Sequence, residues 1–347
     1  MRYRMMTRPL LMAFALCLFA SCSGTELEAD VPGINQGQQP DDTPPSSGST
    51  ELINRTQTVP DGYEKEAVQR GSVVRIDYDT HDYADGTGAT RTNTAYVYLP
   101  YGYEDNTEQK YNVLYFVHGH YGTAATTFED ANGLVRKLLD HMVANRDMAP
   151  TIVVSPSYNY GEPTASYVDA DKYCEALPQE LVNDLIPIVE GRYRTYTETT
   201  DAAGLEAARA HRAIGGFSMG GVTTWYALEH EFNYFRYFMP ISGDCWSLGS
   251  FAGMNRPNET AEYLANIVRT SHHASDFHIW AASGTNDSAY GETLVQVQAM
   301  ARLTDVFDTS HLTFHEQEGA RHEFRPIAEY LYNALPSFFP ADSGTNP

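Results

Sequence analysis

Five short apolar runs, "YNVLYFVHG", "TIVVSPS", "AIGGFS", "YFMPISG" and "FHIWAASGTND", follow one another along the chain, and every neighbouring pair is separated by a stretch with helical spacing of apolar residues. Runs this short, bounded by glycine, proline and serine, read as buried strands, and the stretches between them are long enough to be crossover helices. Repeated strand–helix–strand units of this kind build a parallel sheet with helices on both faces. Upstream, "VVRIDYDT" and "TAYVYLP" alternate in the manner of two antiparallel strands, and downstream "LTFHEQEG" and "PIAEYLYNALPSFF" supply one more strand and a closing helix. No internal repeat or second domain interrupts the series. With 347 residues, 42% of them hydrophobic, the chain has the material for one large α/β core.

In a sheet of this class ligands bind beyond the carboxyl ends of the strands, so chemistry is sought in the loops that follow them. One such loop, at residues 215–221, reads "GGFSMGG". The GxSxG pattern alone arises by chance in roughly one chain in ten of this length. Its context gives it weight: the strand "HRAIGGF" precedes Ser218, and Val222, Trp225, Leu228 and Phe232 follow at helical spacing. Strand, serine and helix in immediate succession make a nucleophile elbow, in which Gly216 and Gly220 avoid side-chain collisions across a strained turn.

A serine hydroxyl needs a base to take its proton and an acid to orient that base. Histidine follows the last strand in "EGARHEFRP" as His322, and Asp287 lies in "AASGTNDSAY" just beyond the preceding strand, giving the chain order Ser, Asp, His of α/β-hydrolases. Asp244 in "ISGDCW" follows another strand and is the rival acid. Two backbone N–H groups, of Met219 directly after the serine and of His120 in "FVHGHYG", are candidates for stabilising the oxyanion, with His118 as a structural neighbour. Around them Trp246, Asp244, Tyr121 and Phe324, together with Tyr158, Tyr160, Tyr167 and Tyr173 from the tyrosine-rich loop "SPSYNYGEPTASYVDADKYCEA", are candidate substrate contacts, aromatic rings suiting an aromatic acyl group or sugar rings.

The amino terminus has a different character. Arg2, Arg4 and Arg8 precede an apolar stretch from Leu10 to Ala20, too short to span a bilayer but of signal-peptide length, and small residues lead into Cys22. Residues 1–21 thus read as a lipoprotein signal, with Cys22 the lipidated first residue of a protein anchored in a bacterial cell envelope, on the outer membrane, or otherwise secreted. Residues 22–60, rich in Pro, Ser, Gly, Asp and Glu, read as a disordered tether; residues 61–340 form the folded domain, and 341–347 a flexible tail.

The formal net charge of −22 argues against nucleic acid and against direct adhesion to an anionic membrane. Cys174 and Cys245 remain after the leader cysteines are set aside, and their pairing is left open. No metal-ligand spacing stands out among the cysteines and the 12 histidines; His272 and His273 read as a solvated helix end.

Five blocks in order, "YNVLYFVHG", "AHRAIGGFSMGGVTTWY", "FMPISGDCW", "GTNDSAY" and "ALPSFF", carry a resemblance to the feruloyl esterase domains of bacterial xylanases, carbohydrate esterase family one, in the esterase D-like branch of the α/β-hydrolases. The resemblance spans about Asp61 to Pro340. It implies an α/β-hydrolase fold, Ser218, Asp287 and His322 as the catalytic triad, no metal or organic cofactor, and hydrolysis of hydroxycinnamate esters on arabinoxylan. Acetyl ester hydrolysis or acyl transfer to a sugar is the alternative within the same fold, and a catalytically silent carbohydrate-binding lipoprotein the alternative outside it. The chain departs from the family pattern at Cys245 and at Glu323–Phe324, beside the expected acyl pocket.

Overall fold

The computed structural model describes residues 52–341. The leader, Cys22, the tether up to residue 51 and the end of the tail lie outside the described residues. Nine strands make one sheet: β1 Ile53–Arg55, β2 Ser72–His81, β3 Thr90–Leu99, β4 Asn112–Val117, β5 Thr151–Ser155, β6 Arg212–Phe217, β7 Tyr237–Ile241, β8 His278–Gly284 and β9 Leu312–Gln317. The helices are α1 Thr126–Ala144, α2 Tyr167–Glu180, α3 Ile186–Arg192, α4 Ala202–Ala207, α5 Met219–His230, α6 Ala252–Asn255, α7 Pro257–Thr270, α8 Tyr290–Met300 and α9 Ile327–Phe338.

The strand order is β1-β9-β8-β7-β6-β4-β5-β3-β2. β2 and β3 form an antiparallel ribbon from Ser72↔Leu99 to His81↔Thr90, and β3 runs antiparallel to β5. All other pairings are parallel. The mostly parallel sheet anticipated from the alternating runs is therefore the one observed, with one addition. Ile53–Arg55 pairs in parallel with Phe314–Glu316 of β9, so the sheet reaches into the stretch assigned to the tether. Three residues, "INR", show no alternation that would mark a strand; the exposed edge of β9 supplies the hydrogen bonds that order them.

Alternate residues of the central strands face opposite layers, as a strand's two-residue period requires. Val113, Tyr115 and Val117 of β4 join the core beneath α2, α5, α7 and α8, while Leu114 and Phe116 join the core beneath α1 and α9. Both layers are closed, which explains why β4 reads as an unbroken apolar run from Val113 to Val117. At the amino ends of the strands Arg212 of β6 forms a buried bidentate pair with Glu190 of α3, Nε–Oε1 2.6 Å and Nη2–Oε2 2.7 Å.

The chain passes from β4 outward to β5 and then back across β4 to β6, so strand order reverses between β4 and β6. A crevice opens at such a reversal, beyond the carboxyl ends of the two strands. Residues 118–122 leave β4 at that point, and Ser218 leaves β6 beside them. Among the described residues no helix is long and apolar enough to cross a membrane.

Candidate active site

Ser218 sits between β6 and α5 with φ 57° and ψ −117°, a backbone conformation that a non-glycine residue holds only when its surroundings enforce it. The enforcement is visible. Ser218 N–H donates to Ile241 O at 2.9 Å, tying the elbow to β7. A Cβ at Gly216 would lie 2.6 Å from the backbone of Gly220, and one at Gly220 would lie 2.1 Å from Val117 O. One at Gly243 would meet Ser218 O at 2.6 Å. The glycines thus let three strand ends close tightly around one serine, and the turn lifts its hydroxyl into the crevice.

His322 comes from the loop between β9 and α9, and its Nε2 lies 2.9 Å from Ser218 Oγ. Its Nδ1 lies 2.7 Å from Oδ1 of Asp287, in the loop between β8 and α8. A carboxylate only accepts, so Nδ1 carries the proton and Nε2 of the neutral ring presents a lone pair to the serine O–H. The same Asp287 Oδ1 also accepts from Ala289 N–H at 2.7 Å, which fixes the carboxylate. Phe217 packs against the imidazole with ring centroids 4.7 Å apart, holding it from the other side.

Asp244 is placed elsewhere. Its Oδ1 accepts from Trp246 Nε1–H at 2.7 Å and its Oδ2 from Met254 N–H at 2.8 Å, so both oxygens serve to fold the β7–α6 loop. Burial outweighs these bonds and pushes its carboxyl up to about 6. Its role is to aim the Trp246 indole.

Met219 opens α5, so its N–H is one of the first-turn donors without an intrahelical acceptor. Gly119 runs alongside: a Cβ there would stand 3.4 Å from Ser218 Cβ, which brings the His120 backbone against the elbow. His118 below this loop is fully buried, donates Nδ1–H to Gly119 O at 2.7 Å, and is pushed by burial down to about 4, so it stays neutral. The His120 ring lies along the cleft wall, its Nε2 3.0 Å from Thr164 Oγ1, whose own proton goes to Ser166 O. That bond links the β4 loop to the start of α2.

These groups line a cleft of about 880 Å³, within the range of small-molecule sites. One wall is a train of rings: Tyr121, 94% exposed at the mouth, then His120 at 4.5 Å, Tyr167 at 6.3 Å and Trp246 a further 6.4 Å on, with Phe251 4.6 Å from the indole. Phe324 stands on the cleft beside His322. Glu292 of α8 also lines the cleft. Burial, with the charges of Asp244 and Asp287 nearby, pushes its carboxyl up to about 7 against the pull of His322.

Three of the expected contacts lie outside the cleft. Tyr158 is 1% exposed, its ring 4.6 Å from His118 and its O–H donated to Gly119 O at 3.2 Å, so it supports the β4 loop from beneath. Tyr160 has φ 54° and lines a separate polar depression with Arg91 over its ring at 5.5 Å. Tyr173 lines the same depression, and of the loop's four tyrosines Tyr167 is the one that lines the cleft. Phe251 and Glu292 were not anticipated; α8 begins three residues after Asp287, a placement that was the available sign for Glu292. Cys174 and Cys245 are both free and buried, and burial pushes both thiols up.

A family described as "Putative esterase" matches residues 87–337. Endo-1,4-beta-xylanase Y of Acetivibrio thermocellus is 35% identical over 304 residues, 86% of this chain and 26% of that protein. An endo-1,4-beta-xylanase/feruloyl esterase of Xylanibacter ruminicola is 27% identical over 186 residues, 52% of this chain and 23% of that one. The chain therefore spans about a quarter of the length of these curated relatives. Among solved structures, a serine-to-alanine mutant of the feruloyl esterase module from Clostridium thermocellum, complexed with sinapinate, aligns at 33% identity and TM-score 0.71 over 87% of this chain and 99% of that one. A ferulic acid esterase from the anaerobic fungus Anaeromyces mucronatus, in complex with ferulic acid, shares the fold at 20% identity and TM-score 0.59, over 83% and 98% of the two chains.

Proposed function

Because this chain belongs to the putative esterase family, with the α/β-hydrolase fold, we propose that it hydrolyses hydroxycinnamoyl esters, feruloyl esters of arabinoxylan foremost, through an acyl-enzyme on Ser218. The observation that carries the reading is the single relay from Asp287 Oδ1 through His322 to Ser218 Oγ, at 2.7 and 2.9 Å. His322 Nε2 takes the serine proton as Oγ attacks the acyl carbon, and Asp287 stabilises the imidazolium that forms. The oxyanion is received by the N–H groups of Met219 and His120, each donor being worth about 10² to 10³ in rate. His322 then returns the proton to the departing sugar alkoxide. Water enters by the same route and releases the acid.

The choice of acyl group rests on the ring wall. Tyr167, Trp246, Phe251 and Phe324 offer flat apolar surface, with a hydroxyl on Tyr167, which suits a phenylpropenoyl group, while the open mouth at Tyr121 leaves room for a sugar chain. The alignment with a module complexed with sinapinate supports the same acyl class. The proposal includes attachment to a bacterial envelope through a lipid on Cys22, for which the support is the leader sequence.

Release of ferulate from methyl ferulate and from feruloylated arabinoxylan, beside hydrolysis of an acetyl ester, tests the reading. Methyl ferulate is expected to give the higher kcat/KM; the reverse order favours an acetyl esterase on the same scaffold. Ser218→Ala is expected to remove turnover and to retain ligand binding, and residual activity within tenfold of wild type would exclude Ser218 as the nucleophile.

A further inference from the structure

At the end of the sheet opposite the cleft, three side chains from two distant parts of the sequence converge. Glu206 belongs to α4, and His272 and His273 occupy the turn between α7 and β8. Glu206 Oε1 lies 2.5 Å from His272 Nε2 and 3.0 Å from His273 Nε2, and all three ligand atoms fall within 4.8 Å of one another. The turn is held in place: Ser271 Oγ accepts from His273 N–H at 3.1 Å and donates to Asn233 Oδ1 at 2.9 Å, while Asp276 N–H donates to His273 O at 2.9 Å. The two imidazoles face each other with centroids 4.1 Å apart.

We propose that Glu206, His272 and His273 form a binding site for a divalent first-row transition ion of the zinc type, which clasps α4 to the α7–β8 turn. Two imidazole nitrogens and one carboxylate oxygen are a ligand set suited to such an ion, with water in the fourth position. Around zinc, bonds of about 2.0–2.2 Å place tetrahedral ligand atoms about 3.3 Å apart. The separations of 2.5 and 3.0 Å must therefore open by less than about 1 Å, and His272, with its side chain 65% exposed, is free to rotate.

Without an ion, one carboxylate oxygen serves as acceptor for two imidazole N–H groups; with one, both rings turn lone pairs inward. Arg209 stands close enough to His273 to repel a cation there. Arg209 is itself paired with Asp276 at 3.0 Å, which moderates its repulsion of a cation. The reason for a clasp at this place is geometric. The segment around α4 covers the amino ends of the central strands, and these side chains join it to the turn before β8 beside the Arg209–Asp276 pair.

Tag-free protein titrated with Zn²⁺ against a chromophoric chelator provides the test, with thermal unfolding measured with and without the ion. Wild type is expected to take up one equivalent that the His272→Ala/His273→Ala double variant does not, and to gain several degrees in unfolding midpoint that the variant does not. Glu206→Gln keeps an acceptor but loses the charge, and is expected to bind at least tenfold more weakly. Hydrolysis of an ester at the wild-type rate reports that each variant is folded. Equal zinc uptake by wild type and double variant, or no uptake by wild type, would overturn the proposal.

Discussion

The relay makes an unusual demand on Asp287→Asn. In a serine–histidine–aspartate site, aspartate-to-asparagine change ordinarily costs about 10⁴ in kcat because the amide N–H₂ faces Nδ1 and forces the proton to the wrong ring nitrogen. Here Ala289 N–H also points at Oδ1, at 2.7 Å, the same oxygen that receives His322 Nδ1–H. Two donors converging on one atom orient the asparagine with its carbonyl oxygen in that position and its N–H₂ turned away. The tautomer is then kept and only the charge is lost. A unit charge about 4 Å from the imidazolium, at an effective dielectric of about 20, is worth about 4 kcal/mol, or about 10³ in rate. Asp287→Asn is thus expected to reduce kcat/KM on methyl ferulate about 10³-fold, and Asp287→Ala, which also frees the ring to rotate, about 10⁴-fold or more. A loss of less than tenfold in the asparagine variant would refute the need for charge. A loss equal to that of the alanine variant would refute the argument from two converging donors.

Asp244→Asn is expected to behave in the opposite manner, since both its oxygens accept N–H donors and one must now face an N–H₂; thermal unfolding should show a loss of about 1–3 kcal/mol, with KM rising through a displaced Trp246 while the kcat loss stays far below that of Asp287→Asn. Glu292 is raised from 4.5 to about 7, so between those values it is held protonated where a free carboxyl would be ionised, and above about 7 it places a negative charge on the cleft wall. Ferulate product should therefore inhibit more strongly at pH 6 than at pH 8; a charge about 8 Å away at an effective dielectric of about 40 is worth roughly fivefold in Ki. The part of that pH dependence due to Glu292 should vanish in Glu292→Gln, and an unchanged profile in that variant would remove Glu292 from the account. Gly220→Ala would set a Cβ 2.1 Å from Val117 O, a backbone atom with nowhere to move, and is expected to cost more than about 3 kcal/mol or to abolish soluble expression.

Much of the fold could be read because α/β architecture writes itself locally. Each central strand is buried on both faces, so Val113–Val117 and Ile152–Val154 are unbroken apolar runs, and each elbow glycine sits where a side chain would meet backbone. Ser218, Asp287 and His322 were legible as loop residues after strands. Asp244 was equally so, and only the direction of its side chain, toward Trp246 and Met254, separates it from Asp287. Tyr158 and Tyr160 fail for a related reason: a loop's composition does not say which side of it faces the substrate, and here one ring lies beneath the loop and the other beyond it. The strand Ile53–Arg55 depends on the edge of β9, some 260 residues away, and Glu206 meets His272 across 66 residues; neither leaves a mark in its own neighbourhood.

The direction of that first strand has a bearing on how such a molecule meets a solid polymer. Because β1 runs parallel to β9, the described chain enters at the strands' amino ends, on the pole of the domain away from the crevice. An attachment made at residue 52 itself therefore holds the domain from behind and leaves the crevice open to the medium. The end of α9 stands at the same pole, Phe338 stacked on Tyr237 and Phe339 O accepting from Ala149 N–H, so a graft at either place should leave the ratio of turnover on insoluble polymer to turnover on a soluble ester unchanged, whereas one on the Tyr121 rim should lower it.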